Sequence, residues 1–251
     1  MMNPAEFANI ARAEQDFWWY RGMRRILFRL LDPVVEGRRI TRVLEAGCGT
    51  GHFAHLLKER YRFPVFAIDL GWEGLRHGKI LGVERLAQAD ISKLPFPDGA
   101  FEMAVSLDVI VHFPRGQEDA PVRELTRVLA PGGILAIRVA ALDMLRSRHS
   151  QFAHERQRFT RARLVTLAEK HGLEVLRCTY ANSLLTPVAF AKFRVIEPLL
   201  RSKPQSGVQG VSPWLDRLLF LPLAWESRWI GTGRNFPVGQ SLILLARKVN
   251  I

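Results

Sequence analysis

Glycines at positions 47, 49 and 51 mark where this chain could do chemistry. The run Val43-Leu44-Glu45-Ala46-Gly47-Cys48-Gly49-Thr50-Gly51-His52-Phe53-Ala54-His55-Leu56-Leu57 reads as a short apolar strand, a tight turn and a helix with an apolar face of Phe53, Leu56 and Leu57. Glycine permits positive φ and lets a ligand lie against bare backbone, while the N–H groups of a helix start point at it. A ligand site at this turn follows. The spacing is not the G-x-G-x-x-G of a dinucleotide fingerprint, and no Lys-Ser or Lys-Thr follows as in a phosphate loop. A second group stands 24 residues after Glu45: Asp69, at the end of the apolar run 65–70. A carboxylate there can accept both hydroxyls of a ribose, although Asp is also a favoured helix cap.

The elements needed to hold these groups are legible from periodicity. Residues 7–31 alternate apolar and charged positions at helical spacing, contain the aromatic run Phe17-Trp18-Trp19-Tyr20-Arg21-Gly22, and stop at Pro33. Four adjacent aromatics point all round a helix, so some must meet another surface or a ligand. Strands are expected at 43–46, 65–70, 85–91, 103–108, 134–139, 173–180 and 241–248, with helices at 119–129 and 161–171. About sixty residues separate the last two strands. They hold apolar helical segments at 190–196 and 214–225, parted by a Ser/Gly/Gln/Pro stretch at 202–213. Such a piece reads as a cap over the site, an oligomer interface or an interfacial membrane contact through 186–225.

Taken in order, E-x-G-x-G-x-G after a strand, Asp69, Asp90, "LPFPDGAFE" at 94–102, Asp108-Val109-Ile110-Val111-His112-Phe113 and "RVLAPGGILAI" at 127–137 resemble the class I S-adenosylmethionine (SAM)-dependent methyltransferases of the type 11 subgroup. The resemblance covers about residues 40–182 and 240–249. It implies an α/β fold: a Rossmann-like, doubly wound seven-stranded sheet with strand 7 antiparallel, an N-terminal helix and a helical cap insertion. The implied divisions are an aromatic helical segment 1–39, a SAM-binding domain 40–182 with 239–251, and a cap 183–238. The implied cofactor is SAM, with S-adenosylhomocysteine as product. Glu45, Gly47, Cys48, Gly49 and Gly51 would lie under its methionine part, Asp69 with Leu70 at the ribose, and Asp90 with Ile91 at the adenine. Leu107 and Asp108 would line the place where cofactor and acceptor meet, and Tyr20 and Arg21 of the aromatic opening complete the expected cofactor set.

Methyl transfer is an in-line displacement, so the protein must align donor and acceptor and, where needed, take a proton from the acceptor. His112 is the first candidate base, because it follows the fourth strand and imidazole titrates near neutral pH; a residue that only shapes the pocket is the competing reading. His154, with His149, comes next. The loop 146–160 that holds them resembles an H-x-x-R-[YF]-T loop that, with "WWYRG", marks a branch of the type 11 group found among sugar- and lipid-modifying enzymes. Gln157 departs from it where arginine is commoner, which weighs against anion binding by the loop. His149 and His154 with no nearby carboxylate or cysteine pair are poor ligand spacing, so no metal is expected.

The chain has 251 residues, 48% hydrophobic and 24% charged, with a formal net charge of +12, enough length for a full core and enough positive charge to suggest an anionic partner. No Asn-Pro-Pro-Tyr-type motif follows the fourth strand, which weighs against nucleic acid. Two cysteines, an opening with acidic groups and no apolar h-region, and no run of about eighteen apolar residues point to a reducing, cytoplasmic setting. The expected activity is methylation of a small-molecule acceptor, an oxygen of an amphipathic, glycosylated or secondary-metabolite compound, by a monomer or homodimer. Three other readings stay open: an RNA or DNA methyltransferase, a SAM-binding cyclase that transfers no methyl, and a non-catalytic partner subunit.

Overall fold

A computed structural model describes residues 2–200, 203–208 and 210–249; residues 202 and 209 of the stretch 202–213, and 250–251 of the segment 239–251, lie outside the described residues. In chain order the elements are α1 (Pro4–Ala13), α2 (Trp18–Val35), β1 (Val43–Ala46), α3 (His52–Tyr61), β2 (Val65–Asp69), α4 (Trp72–Ile80), β3 (Arg85–Gln88), β4 (Phe101–Leu107), α5 (Asp119–Val128), β5 (Leu129–Ala140), α6 (Arg148–Phe152), α7 (Arg161–Lys170), β6 (Leu173–Ala181), α8 (Thr186–Ala191), α9 (Glu197–Leu199), α10 (Pro213–Gly231) and β7 (Ser241–Lys248). A 3-10 turn, Ile110–His112, follows β4, and a π-helical turn, Lys192–Ile196, joins α8 to α9.

The sheet runs β3-β2-β1-β4-β5-β7-β6. β1 pairs in parallel with β2 and β4, whereas β7 is antiparallel to both β5 and β6. This is the expected doubly wound seven-stranded α/β sheet with its last strand reversed. The order turns back at β1 and β4, so the carboxyl ends of the strands there leave a crevice for a ligand. The central strands are buried on both faces, as apolar runs such as Ile134, Leu135, Ala136 and Ile137 require. One apolar layer holds Phe101, Leu125, Leu135, Phe159 and Leu244; the opposite layer holds Met23, Leu27, Leu57, Val105 and Ile243.

The opening segment departs from expectation in two ways. It forms two helices where periodicity predicts one, because residues 14–17 are pinned in place. The Arg24 guanidinium donates to the carbonyls of Glu14 (3.1 Å) and Gln15 (3.0 Å), and the Trp18 amide donates to Asp216 of α10 (2.8 Å). Pro33 also lies inside α2, which runs on to Val35, since a proline this near the helix end removes a single backbone hydrogen bond. β3 stops at Gln88, short of Asp90, whose side chain instead accepts the Ser92 amide (2.8 Å) in a turn. The segments expected at 190–196 and 214–225 are parts of longer helical stretches, and α10 packs on α2.

Candidate active site

At the carboxyl ends of β1, β2 and β4 lies a cavity of about 1180 Å³. Its floor is the β1–α3 turn. The amides of Gly47 and Cys48 both donate to Ile68 O (2.8 Å each), which ties the turn to β2. Gly47 has φ +81, and a Cβ there would sit 2.2 Å from the Val109 side chain, so no other residue fits. Gly49, at φ +55, meets nothing within 4 Å in the direction of a Cβ, which leaves a bare stretch of main chain on the cavity wall.

Asp69 is the hinge of this floor. One carboxylate oxygen accepts the Gly49 amide (2.8 Å) and the other the Gly71 amide (2.7 Å), while burial pushes its carboxyl above the usual range. Asp69 therefore does not cap α4, whose N-cap is Gly71; it couples the glycine turn to the next loop and faces the cavity. Each carboxylate oxygen keeps further acceptor capacity. Glu45 also lines the cavity, is 2% exposed, and has one carboxylate oxygen buried with no hydrogen-bond partner among the described residues. Burial holds its carboxyl well above the usual range. Such an orphaned acceptor fits a donor brought by a ligand, such as an ammonium group, and two acceptor-rich carboxylates beside bare backbone suit an amino-acid-bearing nucleoside.

Tyr20, Glu45, Gly47, Cys48, Gly49, Asp69, Leu70, Asp90, Ile91, Leu107, Asp108 and His112 all line this one cavity. Arg21, Gly51 and His154 do not. Arg21 pairs with Asp216 (2.6 Å) and lies over the Phe220 ring, so its charge is spent on α10. Gly51 sits at the start of α3 with its open side toward Gly78 Cα (3.0 Å), because the turn has already rotated away from the ligand side. His154, at φ 59, is exposed and contributes only its carbonyl.

That carbonyl matters for His112. The amides of Arg156 (2.9 Å) and Gln157 (3.2 Å) donate to Val111 O, which presses the loop after α6 onto the 3-10 turn. His112 Nδ1 then donates to His154 O (3.2 Å). A carbonyl can only accept, so Nδ1 carries the hydrogen and Nε2 keeps its lone pair. Burial lowers the His112 pKa, which keeps the ring neutral. Gln157 is buried, donates through Nε2 to Phe113 O (2.9 Å) and does not line the cavity.

Several contacts around the cavity are written in no motif. Arg138 of β5 donates through Nε (2.8 Å) and Nη2 (2.6 Å) to one oxygen of Asp108, and its guanidinium lies 5.0 Å from the centre of the Trp19 ring. Asp108 itself has φ 58, strained for a residue with a Cβ and held by its amide bond to Arg138 O (2.8 Å). Glu14 accepts a hydrogen bond from the Thr50 hydroxyl, and burial raises its pKa to about 7. His149 Nδ1 accepts the Gly207 amide (2.9 Å), and Glu6 accepts the Ser206 hydroxyl (2.9 Å), so α1 and the 203–208 loop roof the cavity. Trp19 of the aromatic run, Asp108 and His149 stand out in the sequence; nothing local flags Arg138 or Glu14. Among the described residues no three His, Cys, Asp or Glu side chains gather as a metal cluster.

Comparison with known proteins agrees with this geometry. Residues 44–137 match the model of a methyltransferase domain family. A malonyl-[acyl-carrier protein] O-methyltransferase of Halorhodospira halophila is 30% identical over 79% of this chain and 67% of its own length. One of the same name from Enterobacter lignolyticus is 31% identical over 55% of this chain, which spans only 54% of that relative. The crystal structure of a SAM-dependent methyltransferase from Archaeoglobus fulgidus superposes with a TM-score of 0.60 at 15% identity, covering 94% of this chain and 97% of the other, and so shares the fold. With the expected sheet, a continuous crevice at its switch point and a relative matched along most of its length, the chain belongs to the class I SAM-dependent methyltransferases of the type 11 group, and its cofactor is SAM.

Proposed function

We propose that the protein transfers a methyl group from SAM to an oxygen of an amphipathic small molecule. The carrying observation is that one cavity of about 1180 Å³ runs from the Gly47–Gly49 turn and Asp69, past His112, to Phe193, Ile196 and Leu219 of the helical segment before β7. The first part suits a nucleoside with an amino-acid tail, and the last suits an apolar chain. In this reading Asp69 takes the ribose hydroxyls, Asp90 the adenine edge and Glu45 the ammonium group, with Tyr20, Cys48, Leu70, Ile91 and Leu107 shaping the walls. SAM supplies an electrophilic methyl on a sulfonium, whose leaving group needs no acid.

The residues of this chain then have three tasks. The glycine turn holds the donor end rigidly, because Asp69 and Ile68 O fix its amides. The aromatic roof of Trp18, Trp19 and Tyr20 excludes water from the meeting place. His112, with its Nε2 lone pair free, accepts the proton of an acceptor hydroxyl; an acceptor that is already a carboxylate needs no such step. The names of the two relatives, O-methyltransferases acting on a malonyl group, support an acyl carboxylate as the acceptor class. Helices α8 to α10, with the turn between them, act as the cap of the proposed 183–238 segment.

The test is release of S-adenosylhomocysteine when the purified chain is given SAM with methyl label and, in turn, fatty acyl carboxylates, quinols and glycolipids. Label in an organic-soluble O-methyl product is the expected result. Tight SAM binding with no labelled product from any lipid-like acceptor would overturn the proposal.

A further inference from the structure

An amphipathic helix normally turns its apolar stripe inward. α10 departs from this on both faces. Its buried positions include Glu226 and Ser227, both 0% exposed, beside Leu223 and Ile230. Its outward positions are Trp214 (67% exposed), Leu218 (53%), Leu221 (61%) and Trp225 (47%), which recur at steps of four, three and four residues and so form one stripe. Most large apolar side chains exposed among the described residues fall in the same part of the chain, from Leu184 to Val238.

The charges around the stripe are sorted as well. Arg217 and Arg228 are exposed on the same face, one near each end, and neither makes an ion pair among the described residues. The acids of the segment are turned inward. Glu226 accepts the amides of Ser183 (2.7 Å) and Leu184 (2.8 Å), Asp216 is held by Arg21 and the Trp18 amide, and Glu197 accepts the Arg148 amide (2.9 Å). The surface left outward is apolar, rich in tryptophan and positive.

We propose that this face of α10 docks on a lipid bilayer bearing anionic headgroups. Tryptophan and leucine suit the acyl boundary, and arginines at the ends of the stripe reach the headgroups. A second copy fits less well: pairing the stripe with itself brings arginines together on a face with no acid to answer them. No helix among the described residues is long and apolar enough to cross a membrane, so the contact is with the surface. Leu219, on the inward side of α10 with Leu223 and Ile230, lines the cavity together with Phe193 and Ile196, so the docking helix is also one wall of the cavity. The inference stands whether or not the acceptor is a lipid.

The experiment is co-sedimentation of the full chain with vesicles of phosphatidylcholine alone or mixed with phosphatidylglycerol, with SAM affinity measured by calorimetry as the check on folding. The wild type is expected to bind the anionic vesicles, and added salt to weaken that binding. Arg217→Gln with Arg228→Gln should weaken it about 30-fold. Leu218→Ser with Leu221→Ser should weaken it at least about tenfold while SAM affinity stays unchanged. Should that pair lose SAM binding, Trp214→Ser near the start of α10 gives the same reading. The proposal fails if the wild type ignores anionic vesicles, if the variants bind them equally, or if the wild type is a dimer that Leu218→Ser and Leu221→Ser convert to monomer.

Discussion

Helices α2 and α10 lie against each other, yet they solve opposite problems. α2, 18 residues long, buries Met23, Ile26, Leu27, Leu30 and Leu31 in a single stripe. α10, with 19 residues, sends two polar side chains inward and leaves two tryptophans and two leucines in solvent. The first is what folding alone asks of a helix. The second buries Leu223 and Ile230 against the core, yet its outward stripe gains little from the chain's own interior. The contrast separates residues that hold the fold from residues held by it for another purpose.

Substitutions can break this contrast or sharpen it, starting with the floor of the cavity. Gly47→Ala should cost about 3–5 kcal/mol, combining a positive φ with a Cβ driven into Val109, and SAM binding should vanish in calorimetry with a matching fall in melting temperature. His112→Ala should lower kcat about 100-fold with a hydroxyl acceptor and leave SAM affinity within about threefold. The wild-type rate should rise with pH only through a pKa below the ordinary imidazole value of about 6.5 and stay flat above it, because burial favours the neutral ring that acts as base. Stopped assays across pH 5 to 9 check this; a rate that climbs through pH 8 would exclude His112.

Within α10 the inward and outward faces should differ sharply. Glu226→Ala strands the amides of Ser183 and Leu184 and should cost about 2–3 kcal/mol in denaturant unfolding. Leu221→Ser, on the exposed stripe, should change stability by less than about 0.5 kcal/mol. A large loss at Leu221 would mean that the stripe serves the fold after all.

The sheet and the glycine turn were legible because their signals are local. A strand, a turn that only glycine fits and a carboxylate 24 residues on are all written within one stretch of chain, from Glu45 to Asp69. Long-range effects were not legible. The start of α2 is set by Asp216, 198 residues away in sequence, so no local cap could reveal the break after α1. Arg21 stands beside the aromatic run and looks available to a ligand, but the same Asp216 claims it. Arg138 reads as one residue of an apolar strand until β4 and β5 lie side by side and bring Asp108 to its guanidinium. His154 stands out in the sequence for its imidazole, whereas its backbone oxygen is what orients His112.

The two hydrogen bonds that tie α1 and α6 to the 203–208 loop, Ser206 to Glu6 and Gly207 to His149, give the enclosure a weak side. Each is worth only about 1 kcal/mol, against a floor anchored in a seven-stranded sheet. The cheapest opening of the cavity is therefore at this loop and not through the walls. Parting it leaves the hydrogen bonds of the floor, Gly47 and Cys48 to Ile68 O and Gly49 to Asp69, untouched.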